Sequence, residues 1–195
     1  MTDAVNYVMD AYGFPEHSIE DVRCFVGNGI RVLMQRAIPE GEENPQFDEA
    51  FELFKRYYLA HNKVKTRPYD GIMELLGELK KRGVHMAIVS NKNQPTVEAL
   101  CEEEFQGLIS VAVGDGEGRA RKPAPDGPME AIRRLGLSGT EGVLYVGDSE
   151  VDAQTAENAG LGCVLVTWGF RTRQEMAPYA AFSFIDRPGE LLEFV

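Results

Sequence analysis

The sequence predicts an α/β protein with a doubly wound parallel sheet, preceded by a smaller helical segment. From about residue 70 onward, short continuous apolar runs alternate with helical patterns, which is typical of strands buried on both faces of a parallel sheet. Before about residue 66, apolar residues recur only at helical spacing. A length of 195 residues, of which 44% are hydrophobic, suffices for one full domain and a small second module.

The helical segment is predicted to contain four helices. The first ends at Gly13 and the third at Pro39, because glycine and proline commonly terminate helices. Ser18 and Asp21 have the spacing of a capping box, so a second helix is predicted to begin after Ser18. The fourth helix has an apolar face that consists of Phe47, Ala50, Phe51, Phe54, Tyr57 and Tyr58. This segment is therefore predicted to be a small helical bundle.

The alternating half is predicted to follow a hinge at residues 66–69, which gives two domains, 1–66 and 67–195. Helices are predicted over residues 72–81, 97–104, 129–135 and 151–159, and strands over residues 86–89, 109–113, 143–146 and 163–166.

Polar side chains follow three of these strands. Ser90 and Asn91 come directly after the first strand, and Lys122 comes in the loop after the second. Asp148 and Asp152 follow the third. Ligands of doubly wound folds bind beyond the carboxyl ends of the strands, so we expect these side chains to lie together. Carboxylates hold Mg²⁺, while a lysine and a hydroxyl bind phosphate oxygens, so the set predicts a metal-assisted phosphate site.

Each group alone also has an ordinary structural explanation. Ser90 or Asn91 could cap the following helix, and Lys122 could be a solvated loop lysine. Asp148 and Asp152 could be acidic residues that a helix N-terminus favours. Their order after consecutive strands favours phosphate chemistry over these separate explanations.

The same stretches resemble the motifs of a known superfamily. Residues 88–92 (Ile-Val-Ser-Asn-Lys) resemble the second motif of the haloacid dehalogenase superfamily. Residues 121–125 (Arg-Lys-Pro-Ala-Pro) resemble its third motif, and residues 146–152 (Val-Gly-Asp-Ser-Glu-Val-Asp) its fourth. Residues 1–66 look like the helical cap of the phosphoglycolate phosphatase-like branch, particularly residues 22–29.

The resemblance implies a role for each strand-end residue. Ser90, with the amide of Asn91, and Lys122 would bind the transferring phosphoryl group. Asp148 would ligate Mg²⁺, and Asp152 would share this role or support Lys122.

The loop Gly27-Asn28-Gly29 in the segment that looks like a cap is a candidate substrate-binding loop. The resemblance implies that the cap closes over the substrate and that this loop contributes to selectivity. The alternative is a plain turn between two helices.

The resemblance further implies a nucleophilic aspartate and a second aspartate two residues later, on a loop after a first strand. The aspartates here stand at positions 3, 10, 21, 48, 70, 115, 126, 148, 152 and 186, and no two are two residues apart. We therefore expect the first strand and its nucleophile loop to be absent from this chain, which impairs catalysis. Two neighbouring strands would then lack a hydrogen-bonding partner. A shortened sequence, a non-catalytic relative and a strand supplied by another chain remain open as explanations.

By this resemblance the expected function is a magnesium-dependent phosphatase whose partner is a small phosphate monoester such as phosphoglycolate. The alternative is a non-catalytic phosphate-binding or interaction protein with the same fold. A signalling receiver domain also combines acidic residues, a hydroxyl and a lysine. Its acidic cluster comes first in the chain, however, whereas here it comes last, and it has no helical cap.

Composition limits the partners and the compartment. With 20 basic and 31 acidic residues the formal charge is −11, which repels a phosphate backbone and argues against a nucleic-acid partner. No run approaches the roughly 18 apolar residues that a membrane span needs, and the N-terminus has no pattern of a secretion signal. Three scattered cysteines are typical of a reducing compartment. The sequence therefore predicts a cytoplasmic protein without a membrane partner.

Overall fold

The structure is a computed structural model that describes residues 1–27, 29–61, 64–116, 118–179, 181 and 183–195. The chain divides into two compact units, Met1–Arg67 and Pro68–Val195. None of the helices in the described part of the chain combines the length and the apolar character that crossing a membrane requires.

The described residues of the first unit form helices joined by turns and loops, with no strand. Its helices are α1 (Thr2–Tyr12), α2 (Ile19–Phe25), α3 (Ile30–Ala37) and α4 (Phe47–His61), with a 3₁₀ turn at Gly41–Glu43. The predicted capping box is confirmed, because Ser18 Oγ accepts from Asp21 N at 3.1 Å and Asp21 Oδ2 accepts from Ser18 N at 3.0 Å. The apolar faces of the four helices meet in one core around Met9, Met34 and Phe54.

The second unit alternates strands and helices, as predicted. Its helices are α5 (Ile72–Lys81), α6 (Gln94–Phe105), α7 (Asp126–Arg134), α8 (Glu150–Ala159) and α9 (Arg173–Met176), with a 3₁₀ segment at Pro188–Glu193. Its strands are β1 (Ala87–Asn93), β2 (Val111–Asp115), β3 (Leu144–Gly147), β4 (Gly162–Val166) and β5 (Ser183–Ile185). The four predicted strands are present, whereas β5 and α9 were not predicted.

The strands form two parallel sheets. One contains β1 and β2, with Val89 opposite Val113, and the other has the order β3-β4-β5, with Val164 opposite Val146. Among the described residues no ladder joins the two sheets, so β1 and β3 each keep one unpaired edge. Val146 on β3 is 42% exposed, which is high for an apolar residue of a parallel sheet.

The two sheets are not joined by strand pairing among the described residues, but the helices and loops next to them contact each other. Helix α7 packs on β1, and Gly127 lies so close that a Cβ there would be 2.7 Å from Val89 Cγ1. Asn158 Nδ2 on α8 donates to the carbonyl oxygen of Pro123 at 2.8 Å. The loop before α7 therefore contacts the helix that follows β3.

Candidate active site

The end of β1 positions Lys122. Between Val89 and Asn93 the pairing with β2 shifts register, because three residues of β1 lie between the two pairs Val89–Val113 and Asn93–Asp115 whereas β2 has one residue there. An irregularity of this kind changes the direction in which the neighbouring side chains point. Here Asn91 Oδ1 accepts from the Lys122 backbone N at 2.8 Å, and Asn91 Nδ2 donates to the Lys122 carbonyl oxygen at 3.2 Å. Both backbone polar groups of Lys122 are thus held by one side chain.

The proposal that Ser90 or Asn91 caps the next helix is wrong. Helix α6 is capped by Asn93, whose Oδ1 accepts from Thr96 N at 3.0 Å. Ser90 Oγ accepts from Lys92 N at 3.2 Å, and none of the hydrogen bonds between described residues joins it to Lys122. Ser90 therefore precedes Asn91 in the sequence, and its hydroxyl oxygen accepts a hydrogen bond within a local turn.

Lys122 reaches Asp152 at the start of α8. The Nζ to Oδ1 distance is 2.7 Å, and the two side chains are only 16% and 6% exposed. Asp152 Oδ2 also accepts from Ser149 Oγ at 2.6 Å and from Asp148 N at 3.2 Å. Burial raises the pKa of Asp152, but the positive charge of Lys122 and these hydrogen bonds outweigh it, and the net pKa is lowered. Asp152 is therefore a buried carboxylate whose two oxygens already have protein donors.

Asp148 lies next to Asp152 at the end of β3. Its Oδ2 accepts from Phe170 N at 2.8 Å. Burial raises its pKa, the Phe170 N–H partly opposes this rise, and the negative charge of Asp152 adds to it. The ionised form of Asp148 is therefore disfavoured in the folded protein unless a positive charge lies close to it.

Two glycines make this packing possible. A Cβ at Gly147 would lie 2.1 Å from Asp152 Cβ, and a Cβ at Gly169 would lie 2.1 Å from Asp148 Oδ2. No real side chain tolerates such distances, so the two carboxylates approach the backbone only because these positions are glycine.

The structure thus brings together Asn91, Lys122, Asp148 and Asp152 at the carboxyl ends of β1 and β3. The predicted substrate loop belongs to the first unit, where Gly27 and Gly29 have φ values of 136° and 87°. Asn28 lies outside the described residues. These positive φ values favour glycine at both positions.

Sequence reasoning did not single out Ser149 and Glu150 as contributors, nor the Gly169-Phe170-Arg171 loop. The loop follows β4 at the same end of the sheet as Asp148, so the strand-end rule was the signal that could have found it. Arg171 forms an ion pair with Glu150, which is 21 residues away, and no spacing in the sequence predicts that contact.

The side chains around Asp148 provide oxygen ligands of the kind that Mg²⁺ prefers. Half-buried Asp148 and buried Asp152 lie beside one lysine, and a divalent cation would favour the ionised form of both carboxyl groups. Within the described ranges no group of three histidine, cysteine or acidic side chains surrounds one point. Mg²⁺ commonly keeps several waters and binds one or two carboxylates, so the residues present fit such an ion.

With this geometry in place, comparison with known proteins gives the family. The model of the haloacid dehalogenase-like hydrolases matches residues 1–166. The chain belongs to this family. The motif resemblance and the predicted fold class are thereby confirmed.

Similar proteins carry one recurrent name. Phosphoglycolate phosphatase 1 of Pseudomonas aeruginosa is 32% identical over 198 residues, which cover 98% of this chain and 72% of that protein. Phosphoglycolate phosphatase of Rhodobacter capsulatus is 35% identical over 183 residues, covering 90% and 81%. The chain spans 65% of the length of relatives from Pseudomonas syringae and Pseudomonas savastanoi.

The fold agrees with solved structures. A crystal structure of a candidate phosphoglycolate phosphatase from Lactobacillus delbrueckii subsp. bulgaricus is 34% identical, with a TM-score of 0.92. The match covers 98% of this chain and 89% of that one.

Proposed function

We propose that this chain forms the phosphate-binding and metal-binding part of a magnesium-dependent phosphatase that acts on small phosphate monoesters such as phosphoglycolate. The observation that carries this proposal is the position of Lys122. Its backbone is held by Asn91 at the end of β1, and its ammonium group is held 2.7 Å from Asp152, next to Asp148. The names of the relatives support the substrate class.

The acidic character of the chain explains why a phosphate site would need a cation such as Lys122. A chain with a formal charge of −11 repels an anion unless a cation stands at the binding site. In the proposed site Lys122 and the hydroxyl of Ser90, with the backbone amide of Asn91, bind the phosphoryl oxygens. Asp152 holds the lysine in position.

Asp148 is the proposed ligand of Mg²⁺, and Asp152 either shares the ion or acts only through Lys122. When bound, Mg²⁺ would neutralise charge on the phosphoryl oxygens. Asp148 would contribute a negatively charged oxygen at a fixed place, and the hydrogen bond from Phe170 N would orient it.

We infer that attack on phosphorus requires a group that is not among the site residues named above. No two aspartates of the sequence are two residues apart, and Ser90 is the only hydroxyl among the predicted site residues. We infer that the 195-residue chain assayed alone has no useful turnover. The unpaired edges of β1 and β3 would accept one further strand that carries the nucleophile, from the same polypeptide or from another.

The unit Met1–Arg67 is the proposed cap, and the segment Gly27 to Gly29 is its proposed substrate loop. A lid that excludes water protects a phosphoryl intermediate from side reactions, which is the physical reason for such a module. The proposed compartment is the cytoplasm, where the thiols of Cys24, Cys101 and Cys163, all free in the structure, stay reduced.

Protection by inorganic phosphate tests the proposal. Phosphate should raise the melting temperature of the wild-type chain, because a ligand that binds only the folded state stabilises it. Lys122→Ala and Ser90→Ala should reduce that rise, and Lys81→Ala should not, since Lys81 pairs with Glu78 on the surface. Equal protection of all four proteins would mean that phosphate binds elsewhere.

The non-catalytic alternative is favoured by one observation, the absence of the aspartate pair. It predicts phosphate protection without turnover in every form of the protein. Magnesium-dependent hydrolysis of a phosphate ester by a form that carries an additional strand with Asp-x-Asp would exclude it.

A further inference from the structure

A short loop after β4 lies directly against the proposed metal ligand. Phe170 N donates to Asp148 Oδ2 at 2.8 Å, and Arg171 N donates to the Asp148 carbonyl oxygen at 3.2 Å. Gly169 has no Cβ, which lets its backbone pack against the same carboxylate. The loop therefore fixes both the backbone of Asp148 and one of its carboxylate oxygens.

The same loop is held by an ion pair between Arg171 and Glu150, in which the Arg171 side chain is nearly buried. Arg171 Nε donates to Glu150 Oε2 at 2.9 Å, and Nη2 donates to Oε1 at 3.3 Å. The Arg171 side chain is 8% exposed and that of Glu150 is 25% exposed. A two-pronged contact between guanidinium and carboxylate fixes orientation as well as distance. Because Glu150 is two residues after Asp148, this pair ties the loop to the turn that carries the ligand.

We propose that Arg171 and Glu150 are positioning residues for Asp148. Their ion pair holds the Phe170 N–H against Oδ2, so that Oδ1 is the oxygen left for the metal ion. The inference rests on the proposed function, since it assigns Asp148 as the ligand.

A purely structural role would have a different consequence. A pair that only stabilised the fold would change the melting temperature and leave the metal affinity of the folded protein as it was. Groups that orient a metal ligand typically change affinity about 10- to 100-fold when they are removed. Metal affinity of the folded chain therefore separates the two roles.

The experiment is a titration of the 195-residue chain with Mn²⁺, followed by electron paramagnetic resonance of the free ion, below the melting temperature of every variant. Arg171→Met should raise the dissociation constant about 10- to 100-fold. Glu150→Gln should raise it in the same direction, and the double variant should be no worse than Arg171→Met, because the two residues act as one unit.

Arg173→Met is the matched control. Arg173 lies two residues further along and pairs with Asp186 at 2.9 Å. This variant should keep the wild-type dissociation constant. In a second measurement, the Phe170 amide should exchange with solvent faster in Arg171→Met than in Arg173→Met.

The outcomes separate the inference from the proposed function. A wild-type chain that binds no Mn²⁺ overturns the metal site and the inference together. Wild-type binding with an unchanged constant in Arg171→Met, or an equal loss in Arg173→Met, overturns the inference alone. If Arg171→Met does not fold, Glu150→Gln decides, since Glu150 is less buried than Arg171 and glutamine preserves its shape.

Discussion

Replacing Asp152 by asparagine should destabilise the second unit strongly, although the two side chains have nearly the same shape. The carboxylate accepts from Lys122 Nζ at 2.7 Å, from Ser149 Oγ at 2.6 Å and from Asp148 N at 3.2 Å. Asparagine can still accept from Ser149, but it removes the carboxylate charge that lies 2.7 Å from the ammonium group of Lys122. With side-chain exposures of 16% and 6%, little solvent is present to replace the lost partner.

Breaking a buried ion pair by removing one partner costs about 3–5 kcal/mol. Because Lys122 is partly exposed and asparagine keeps one hydrogen bond, we expect the lower end, about 3 kcal/mol. In urea this lowers the unfolding midpoint by roughly 1.5 M for a slope of about 2 kcal/mol per M. The double variant Lys122→Met/Asp152→Asn should recover part of the loss, because the ammonium group that lost its partner is then removed as well.

The loss should also depend on pH in a defined direction. The pKa of Asp152 is lowered in the folded state, so its stabilisation is fully present above the unfolded pKa of about 3.9 and is lost as pH falls through the folded pKa. The difference between wild type and Asp152→Asn should shrink as pH falls below about pH 4. The exposed Asp186→Asn serves as the control and should cost much less. Equal losses for the two variants, or a difference that pH does not change, would refute the reasoning.

Three further predictions concern the surroundings of the site. Gly147→Ala should lower the melting temperature and remove protection by phosphate, because its Cβ would lie 2.1 Å from Asp152 Cβ, and neither atom can move without its backbone. A variant with normal phosphate protection would contradict this. Val146→Lys, on the strand with the unpaired edge, should reduce any self-association of the 195-residue chain in sedimentation velocity, since charge on an edge strand discourages pairing. A wild-type chain that stays monomeric at high concentration would show that the edge attracts no second copy. In a catalytically active form, substitution of Asn28 should reorder the rates among phosphate esters more than it changes the melting temperature, and an unaltered ranking would mean that the loop is only a turn.

The strands that were predicted share one property, a continuous apolar run such as Tyr145-Val146 or Val164-Leu165-Val166. Strand β1 extends beyond its predicted end at Val89 because its pairing with β2 resumes at Asn93. The residues between are polar, so the apolar pattern could not predict this extension. Strand β5 has three residues and includes a serine, so it is too short for periodicity to indicate.

The candidate site was predictable to the extent that it depends on strand ends. Lys122, Asp148 and Asp152 follow consecutive strands, and the structure brings all three together. The sequence could not show that Asn91 acts through its side chain on the Lys122 backbone, or that Arg171 pairs with Glu150. Both contacts join residues that are distant in sequence, and they depend on how the loops pack rather than on local propensity.

Lys122 also lies in a loop that contacts both sheets of the second unit. No ladder between described residues joins β1 to β3, and the loop that contains Lys122 and Pro123 makes contacts at the carboxyl ends of both sheets. Asn91 holds this loop to one sheet, while Asp152 and Asn158 hold it to the helix after β3. An anion bound to Lys122 would therefore favour the same arrangement that these contacts favour. Phosphate should accordingly slow hydrogen exchange at the ends of both sheets, and protection confined to β1 and β2 would show that the two sheets open independently.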